Sequence, residues 1–493
     1  MPTKIKTMQS AGNNSLTALE GTGRRRRISV KVGVAFLLIC MTAAGCARFH
    51  SQPLSAAANA DALECRSLTN AELKLLLEKN LHRNFDDWPM VEWDFNMLTL
   101  AAFYFHPSLE VARAQWAVAQ GGEKTAGQRP NPTLTVTPTY NFTTFVPSPW
   151  DPVGFIDVPI ETAGKRKYRR AQAANLSAAA RLNIATTAWQ VRSAVRLSRL
   201  DFATAREREA ALEKQVGVQE EILRRQEQQA KLGEIADSES LVVRIALEKA
   251  RLDLADARRQ GVEARGRLAE AIGIPLSALN EVRFAGRLPE DAARIAELTS
   301  SEVRRVALLT RPDILASLVE YAASQSALQL EIAKQYPDVH LQPGYEFDQG
   351  DSKWSLGFTV DLPVLNQNQG PIAEAKARRQ EAAARFNALQ AKVLAEIDSA
   401  IAVFHISVTN FNALRALAEA QAKRRDSVAA QLKVGAVDQL ELLNAQFEYA
   451  AAELVRLEGD IKLQQAAAAV EDAVQRPFEL PDEIFHSRRT DAR

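Results

Sequence analysis

The sequence predicts a mainly α-helical chain with a small β part that faces a membrane, built from a unit that occurs twice. Three observations predict it. Short segments alternate strictly between apolar and polar residues. Between them run stretches of roughly 65 residues, rich in Ala, Gln, Glu and Arg and free of internal proline. The whole order then recurs after roughly 200 residues, the mark of a tandem duplication.

Composition narrows the function classes. The 493 residues carry a formal charge of +1 with 25% charged side chains, so no one-signed field points to nucleic acid or to an acidic partner. Aromatic residues are only 6% and Ala supplies much of the apolar content, a mix that suits long helices better than a large aromatic core.

The N-terminus reads as an export signal. Arg24 to Arg27 form a basic cluster, an apolar run extends from Val32 to Ala44, and Ala43-Ala44-Gly45-Cys46 follows. Basic, apolar and small-residue regions in that order make a secretory signal, and the apolar run is too short for a spanning helix. Small residues ending at a cysteine also resemble the bacterial lipoprotein signal, which makes Cys46 the candidate lipidation site; a plain signal peptide is the alternative. Cys40 lies within the signal and Cys65 is left without a partner, so no disulfide is expected.

The duplication is read from matched residues. Pro107 and Pro312, Pro132 and Pro337, Pro138 and Pro343, Tyr140 and Tyr345, and Phe142 and Phe347 are each separated by the same 205 positions. "FIDVPI" from Phe155 parallels "TVDLPV" from Thr359, and "KLGEIADSESL" from Lys231 parallels "KVGAVDQLELL" from Lys433. The chain therefore divides into a signal peptide (1–45), an N-terminal segment (46–96), a first repeat (97–274), an inter-repeat segment (275–300), a second repeat (301–475) and a C-terminal tail (476–493).

Each repeat opens with a helix of about 20 residues that starts at a proline and ends before Asn-Pro or Tyr-Pro. Two strands follow, expected at 133–142 with 153–160 and at 339–347 with 354–364. In the second pair, Val339, Leu341, Pro343, Tyr345 and Phe347 share a face, and Trp354, Leu356, Phe358, Val360 and Leu362 form the matching row. Strands of about ten residues are long enough to cross a membrane when tilted. Trp150 and Trp354 stand at matching strand starts, as an interfacial aromatic girdle requires. Four strands cannot close a barrel, so copies of the chain must pool them.

The long helices follow, from Lys165 to Leu232 and from Pro371 to Val434. At 1.5 Å per residue each extends roughly 100 Å, so they must pack lengthwise as hairpins. Gly233 and Gly435 follow Lys231 and Lys433 at the position that needs a left-handed residue. The returning helices have cap candidates Asp237 or Ser238 in the first repeat and Asp438, with Glu441 at capping-box spacing, in the second.

These features resemble the TolC-type outer-membrane efflux family over nearly all of the chain after the signal. The phrases "PIETAGKRKYRRAQA" from Pro159 and "LPVLNQNQGPIAEAKARR" from Leu362 look most like the outer-membrane components of heavy-metal (cobalt–zinc–cadmium type) tripartite pumps. The resemblance implies a homotrimer with a 12-stranded outer-membrane β-barrel above a long periplasmic α-barrel, and a belt built from 67–100, 275–300 and 476–490. It implies a passive duct joined to a periplasmic adaptor protein and an inner-membrane pump of the proton-driven RND type. The adaptor would meet the tips Leu232, Gly233 and Glu234 with Val434, Gly435 and Ala436. Asp438, Glu441 and Asn444 are the pore-constriction candidates, with Asn444 where relatives often carry Asp; Asp438 and Glu441 are equally suited to capping their helix. Export of drugs or polypeptides by the same kind of duct, and a non-conducting periplasmic coiled-coil lipoprotein, are the alternatives.

No enzyme is expected. The six histidines, at 50, 82, 106, 340, 405 and 486, have no ligand spacing, and no phosphate-binding loop, nucleophile elbow or metalloprotease motif occurs. Neither a resident metal nor a cofactor is expected, and His340 reads as a polar residue on the wet face of a strand.

Overall fold

The computed structural model describes residues 49–142, 145, 147–280, 282–284 and 300–477. The signal peptide, Cys46, most of the inter-repeat segment and nearly all of the C-terminal tail lie outside the described residues. The chain separates into two units, 1–61 and 62–493. A short helix α1 (Ala56–Glu64) starts in the first.

The second unit continues with α2 (Ala71–Leu81), β1 (Glu92–Trp93), α3 (Phe95–Phe105) and the first repeat: α4 (Pro107–Gly127), β2 (Thr133–Thr137), β3 (Val153–Ile160), α5 (Lys165–Lys231) and α6 (Asp237–Ile272). A 3₁₀ turn (Leu276–Leu279), β4 (Arg283–Phe284) and α7 (Ser300–Thr310) lead to the second repeat: α8 (Pro312–Ala333), β5 (Val339–Asp348), β6 (Asp351–Val360), α9 (Gln369–Lys433) and α10 (Gln439–Val474). The expected order recurs in full. The hairpin helices have 67 and 36 residues in the first repeat and 65 and 36 in the second, so the duplication preserves length as well as order.

Local chemistry explains the ends. Pro107 and Pro312 occupy first-turn positions where no amide donor is needed. α9 begins at Gln369, before Pro371, because the first turn tolerates the missing N–H there too. The Asp438 carboxylate accepts from the Glu441 amide at 2.8 Å, the expected cap. The first repeat departs from expectation: α6 is capped at Ala236 with no side-chain bond, and Asp237 is already helical. There its charge acts on the helix dipole and does not close a ring.

The strands also depart from expectation at their ends. β2 stops at Thr137, since Pro138 has no amide to donate; beyond it only the bridge between Tyr140 and Trp150 remains. β6 runs earlier than expected, joined to β5 by Gln349 and Gly350, both with positive φ, in the two-residue turn that matches strand twist. It ends before Pro363, so Leu362 leaves the sheet. Trp354 therefore lies inside β6, not at its start.

Two apolar clusters support the repeats. Trp93, Leu73, Leu77, Met97 and Leu98 pack with Val191 and Val195 of α5 and with Leu268 and Ile272 of α6. In the second repeat Ile314, Val393, Ile397 and Phe404 pack with Val470 and Val474. β1 pairs in parallel with β4, which ties the segment before the first repeat to the segment after it.

Where α10 of the second repeat meets α5 of the first, the contact includes a buried ionic cluster. Glu471 of α10 is fully buried and pairs with Arg192 of α5 at 2.8 Å and with Arg196. Both guanidinium groups lie over the Phe95 ring, at 4.8 and 5.1 Å from its centroid. The neighbouring Asp472 accepts from Trp189 Nε1 at 3.1 Å and from Ser193 Oγ at 2.5 Å. Burial pushes its carboxyl above the usual range, against these bonds and the Arg196 charge. Removing one partner of a buried pair leaves the other charge unsatisfied, at about 3–5 kcal/mol. Glu471→Ala is therefore expected to lower the denaturation midpoint sharply, whereas Glu448→Ala, at a solvent-exposed pair with Arg424, should change it little; equal effects would contradict this account.

Candidate membrane sheet and hairpin tips

The four long strands form one antiparallel sheet in the order β2-β3-β5-β6. Its register decides which side chains share a face. Leu134 opposes Ile156, Val158 opposes Leu341, Ile160 opposes Val339, and Leu341, Pro343 and Tyr345 oppose Phe358, Leu356 and Trp354. One side of the sheet is therefore apolar across all four strands, apart from Ser352 opposite Phe347 at the end beside the β5–β6 turn. The other carries Thr133, Thr135, Asp157, His340, Gln342, Glu346, Lys353, Ser355 and Thr359 in the alternate positions.

No helix among the described residues covers the apolar side. Leu134 is 70% exposed, Phe358 66% and Trp354 82%, values that decide against a sheet packed on its own core. The polar side is internally bonded: His340 Nδ1 lies 2.9 Å from an Asp157 oxygen, and Gln342 donates to the same carboxylate at 3.4 Å. His340 is thus a polar residue paired across strands. Among the described residues no group of His, Cys, Asp and Glu could hold a metal ion.

The aromatic residues obey the duplication more closely than their position in the strands. Tyr140 meets Trp150 and Tyr345 meets Trp354, in both cases with ring centroids 5.0 Å apart. Both pairs sit on directly opposed strand positions, Tyr140 with Trp150 through an isolated bridge and Tyr345 with Trp354 in the β5–β6 ladder.

The hairpin tips are built alike. Gly233 and Gly435 have φ of 77° and 73°, which only glycine adopts without strain. The Glu234 amide donates to the Gln229 carbonyl at 2.9 Å, and the Ala436 amide to the Gln431 carbonyl at 3.0 Å, so both turns close with the same six-residue bond. Leu232 and Val434 beside the glycines are 75% and 80% exposed. Asp438, Glu441 and Asn444 are also exposed, and their spacing of three places them along one side of α10.

A heptad coiled coil in the first hairpin escapes a reading based on glycine turns alone. On α6, Leu247, Ala250, Leu254 and Ala257 are buried at alternating spacings of three and four, facing Leu212 and Val216 of α5. Flanking that seam, Arg244 pairs with Glu227 at 2.5 Å, Arg251 with Glu220 at 2.8 Å and Arg258 with Glu213 at 2.6 Å. Each step moves seven residues along both helices in opposite directions. Three arginines and three glutamates at that spacing are visible in the sequence and fix the antiparallel register. The second hairpin has one such cross-pair, Arg424 with Glu448.

No helix among the described residues is long and apolar enough to cross a membrane. No protein-family model matches the chain. In sequence it is 26% identical over 231 residues to the outer membrane protein OprJ of Pseudomonas aeruginosa, covering 45% of this chain and 47% of OprJ, so the match spans about half of that relative. In structure it is similar to the outer-membrane channel OprN, with a TM-score of 0.63 at 18% identity over 87% of this chain and 98% of that one. It is similar also to CusC, a structure described in connection with transmembrane channel formation, with a TM-score of 0.62 at 16% identity over 87% and 99%. With its doubled strand pairs and paired long hairpins, the chain takes the fold of these outer-membrane channels.

Proposed function

We propose that three copies of this chain form a passive exit duct in the outer membrane, lipid-anchored through Cys46 and fed by an inner-membrane pump through a periplasmic adaptor. One observation carries the reading: an exposed apolar sheet whose two edge strands, β2 and β6, are unpaired and run antiparallel to each other. Edges of that polarity let copies join with antiparallel pairing throughout, and lipid tolerates no open edge. Two copies would supply eight strands, an interior that side chains fill; three leave a lumen.

The helices support the same assembly. Within the chain α5 of the first repeat packs on α10 of the second. The duplicated counterpart of that contact, α9 on α6, is not among the substantial helix contacts of the described residues, and in this reading a neighbouring copy supplies it. Leu232, Gly233, Glu234, Val434, Gly435 and Ala436 are then the adaptor contacts at the far ends of the hairpins. Asp438 and Glu441 narrow the pore there, and Asn444 makes the acidic ring weaker. The segment around 67–100 with 275–284 serves as the belt. Heavy-metal cations are the cargo in this reading, a proton-driven pump of the RND type supplies the energy, and the phrases from Pro159 and Leu362 are its support. Unchanged tolerance to zinc, cadmium, cobalt, copper and silver after gene deletion would remove that cargo.

Purified protein in detergent should have the mass of a trimer and give discrete conductance steps in planar bilayers. A charged side chain facing lipid at mid-depth costs about 2–4 kcal/mol per copy. Leu356→Arg should therefore abolish insertion while Thr359→Arg, on the polar side, permits it; a monomer indifferent to both would overturn the reading.

The two roles of Asp438 separate by substitution. Asn caps a helix as well as Asp does, whereas Ala loses about 1 kcal/mol. Asp438→Asn should leave thermal stability unchanged but lower the preference of the channel for cations, seen as a shift in reversal potential. Asp438→Ala should lower both. An unaltered reversal potential in both variants would reduce Asp438 to a cap.

A further inference from the structure

We propose that the groove between α4 and α5, at the base of the sheet, binds the phosphate of an anionic glycerophospholipid in the adjoining membrane leaflet; this rests on the outer-membrane reading above. The groove has a volume of about 530 Å³ and is lined by Glu123 of α4 and by Arg166, Lys167, Arg170, Ala171 and Ala174 of α5. Three cations against one carboxylate leave it net positive. Arg166 donates through Nε to the Gly127 carbonyl at 2.8 Å, which fixes its guanidinium at the groove wall. Lys167 and Arg170 are exposed and have no ion-pair partner among the described residues.

Their neighbours show which way the groove opens. Lys165 pairs with Asp338 at 2.8 Å, and Arg169 with Glu161 at 2.6 Å. Asp338 and Glu161 continue the polar rows of β5 and β3, so Lys165 and Arg169 mark the side of α5 that follows the polar face of the sheet. At 3.6 residues per turn, Lys167, Ala171 and Ala174 lie on the opposite side, which follows the apolar face. Cations placed just beyond a lipid-facing apolar surface meet headgroups.

Two further features give the groove its level and its polarity. At the same end of the sheet the chain leaving β6 exposes Leu362, Val364 and Leu365 at 77, 75 and 100%, apolar side chains set where the leaflet begins. From Thr162 to Leu200 the sequence holds nine Lys and Arg residues and no Asp or Glu. In the second repeat Glu374 stands where the first has Arg170, and it pairs with Arg378. The site is thus a property of the first repeat, one per protomer.

Native mass spectrometry of the full chain, released from micelles of equal phosphatidylglycerol and phosphatidylcholine, tests this. Two cations at an anionic headgroup favour binding by about tenfold or more, so wild-type trimers should retain phosphatidylglycerol over phosphatidylcholine by at least that ratio. Lys167→Gln with Arg170→Gln should bring the ratio close to one. Lys376→Gln with Arg379→Gln, in the second repeat, should leave it as it was. Trimers without preference, or equal losses in the two double variants, overturn the lipid site and leave the duct intact. A monomer that retains no lipid overturns both.

Discussion

A backbone amide or carbonyl inside hydrocarbon has no water to turn to, and each one left unpaired costs several kcal/mol. In the proposed setting, four strands with an apolar side uncovered by any helix among the described residues bring that cost to the two outer strands. The antiparallel relation of β2 to β6 offers the release in the proposed assembly, where edge would join edge between copies and the last join would close the ring. Assembly would then be a condition of the sheet's existence in lipid, and the helices below would inherit the symmetry that the strands impose.

Duplication prepares the chain for this. The two repeats match in element order and in helix length, so one polypeptide would supply two nearly equivalent sectors of the proposed ring. Equivalence ends where the sectors meet. Arg192 and Arg196 with Glu471 form a buried ionic contact inside the chain, whereas Asp398, 202 residues after Arg196, pairs with Arg304 at an exposed site. A buried pair contributes little net stability compared with an apolar contact, but it penalises every arrangement that separates its members. The first hairpin is pinned in the same manner by its heptad seam and three cross-helix pairs, whereas the second has a single such pair.

Much of this was legible in the sequence. Proline spacing gave the repeat, alternation gave the faces of the sheet, and glycines after lysines gave the tips, because each follows from short-range sterics that neighbouring residues cannot override. Sequence and structure part where two local rules compete. Alternation continues through Pro138, but a missing amide ends β2 there, and Leu362 keeps phase with β6 although Pro363 takes the chain out of the sheet. Asp237 is a good cap by type, yet Ala236 occupies the capping backbone position. The seven-residue spacing of Arg244, Arg251 and Arg258 was present to be read. The Glu471 cluster was not, since its members are far apart in sequence and only the packing of α5 against α10 unites them.

Hydrogen exchange of the purified protein in detergent addresses the closed ring most directly. Within an isolated chain, the outward amides of Thr133–Thr137 and Asp351–Val360 have no acceptor, while those of the two inner strands do. Slow exchange in β2 and β6, equal to that in β3 and β5, is the result expected of strands shared between copies. Rapid exchange confined to the two outer strands, with the inner pair protected, would mean that the edges stay open and the chain makes no barrel.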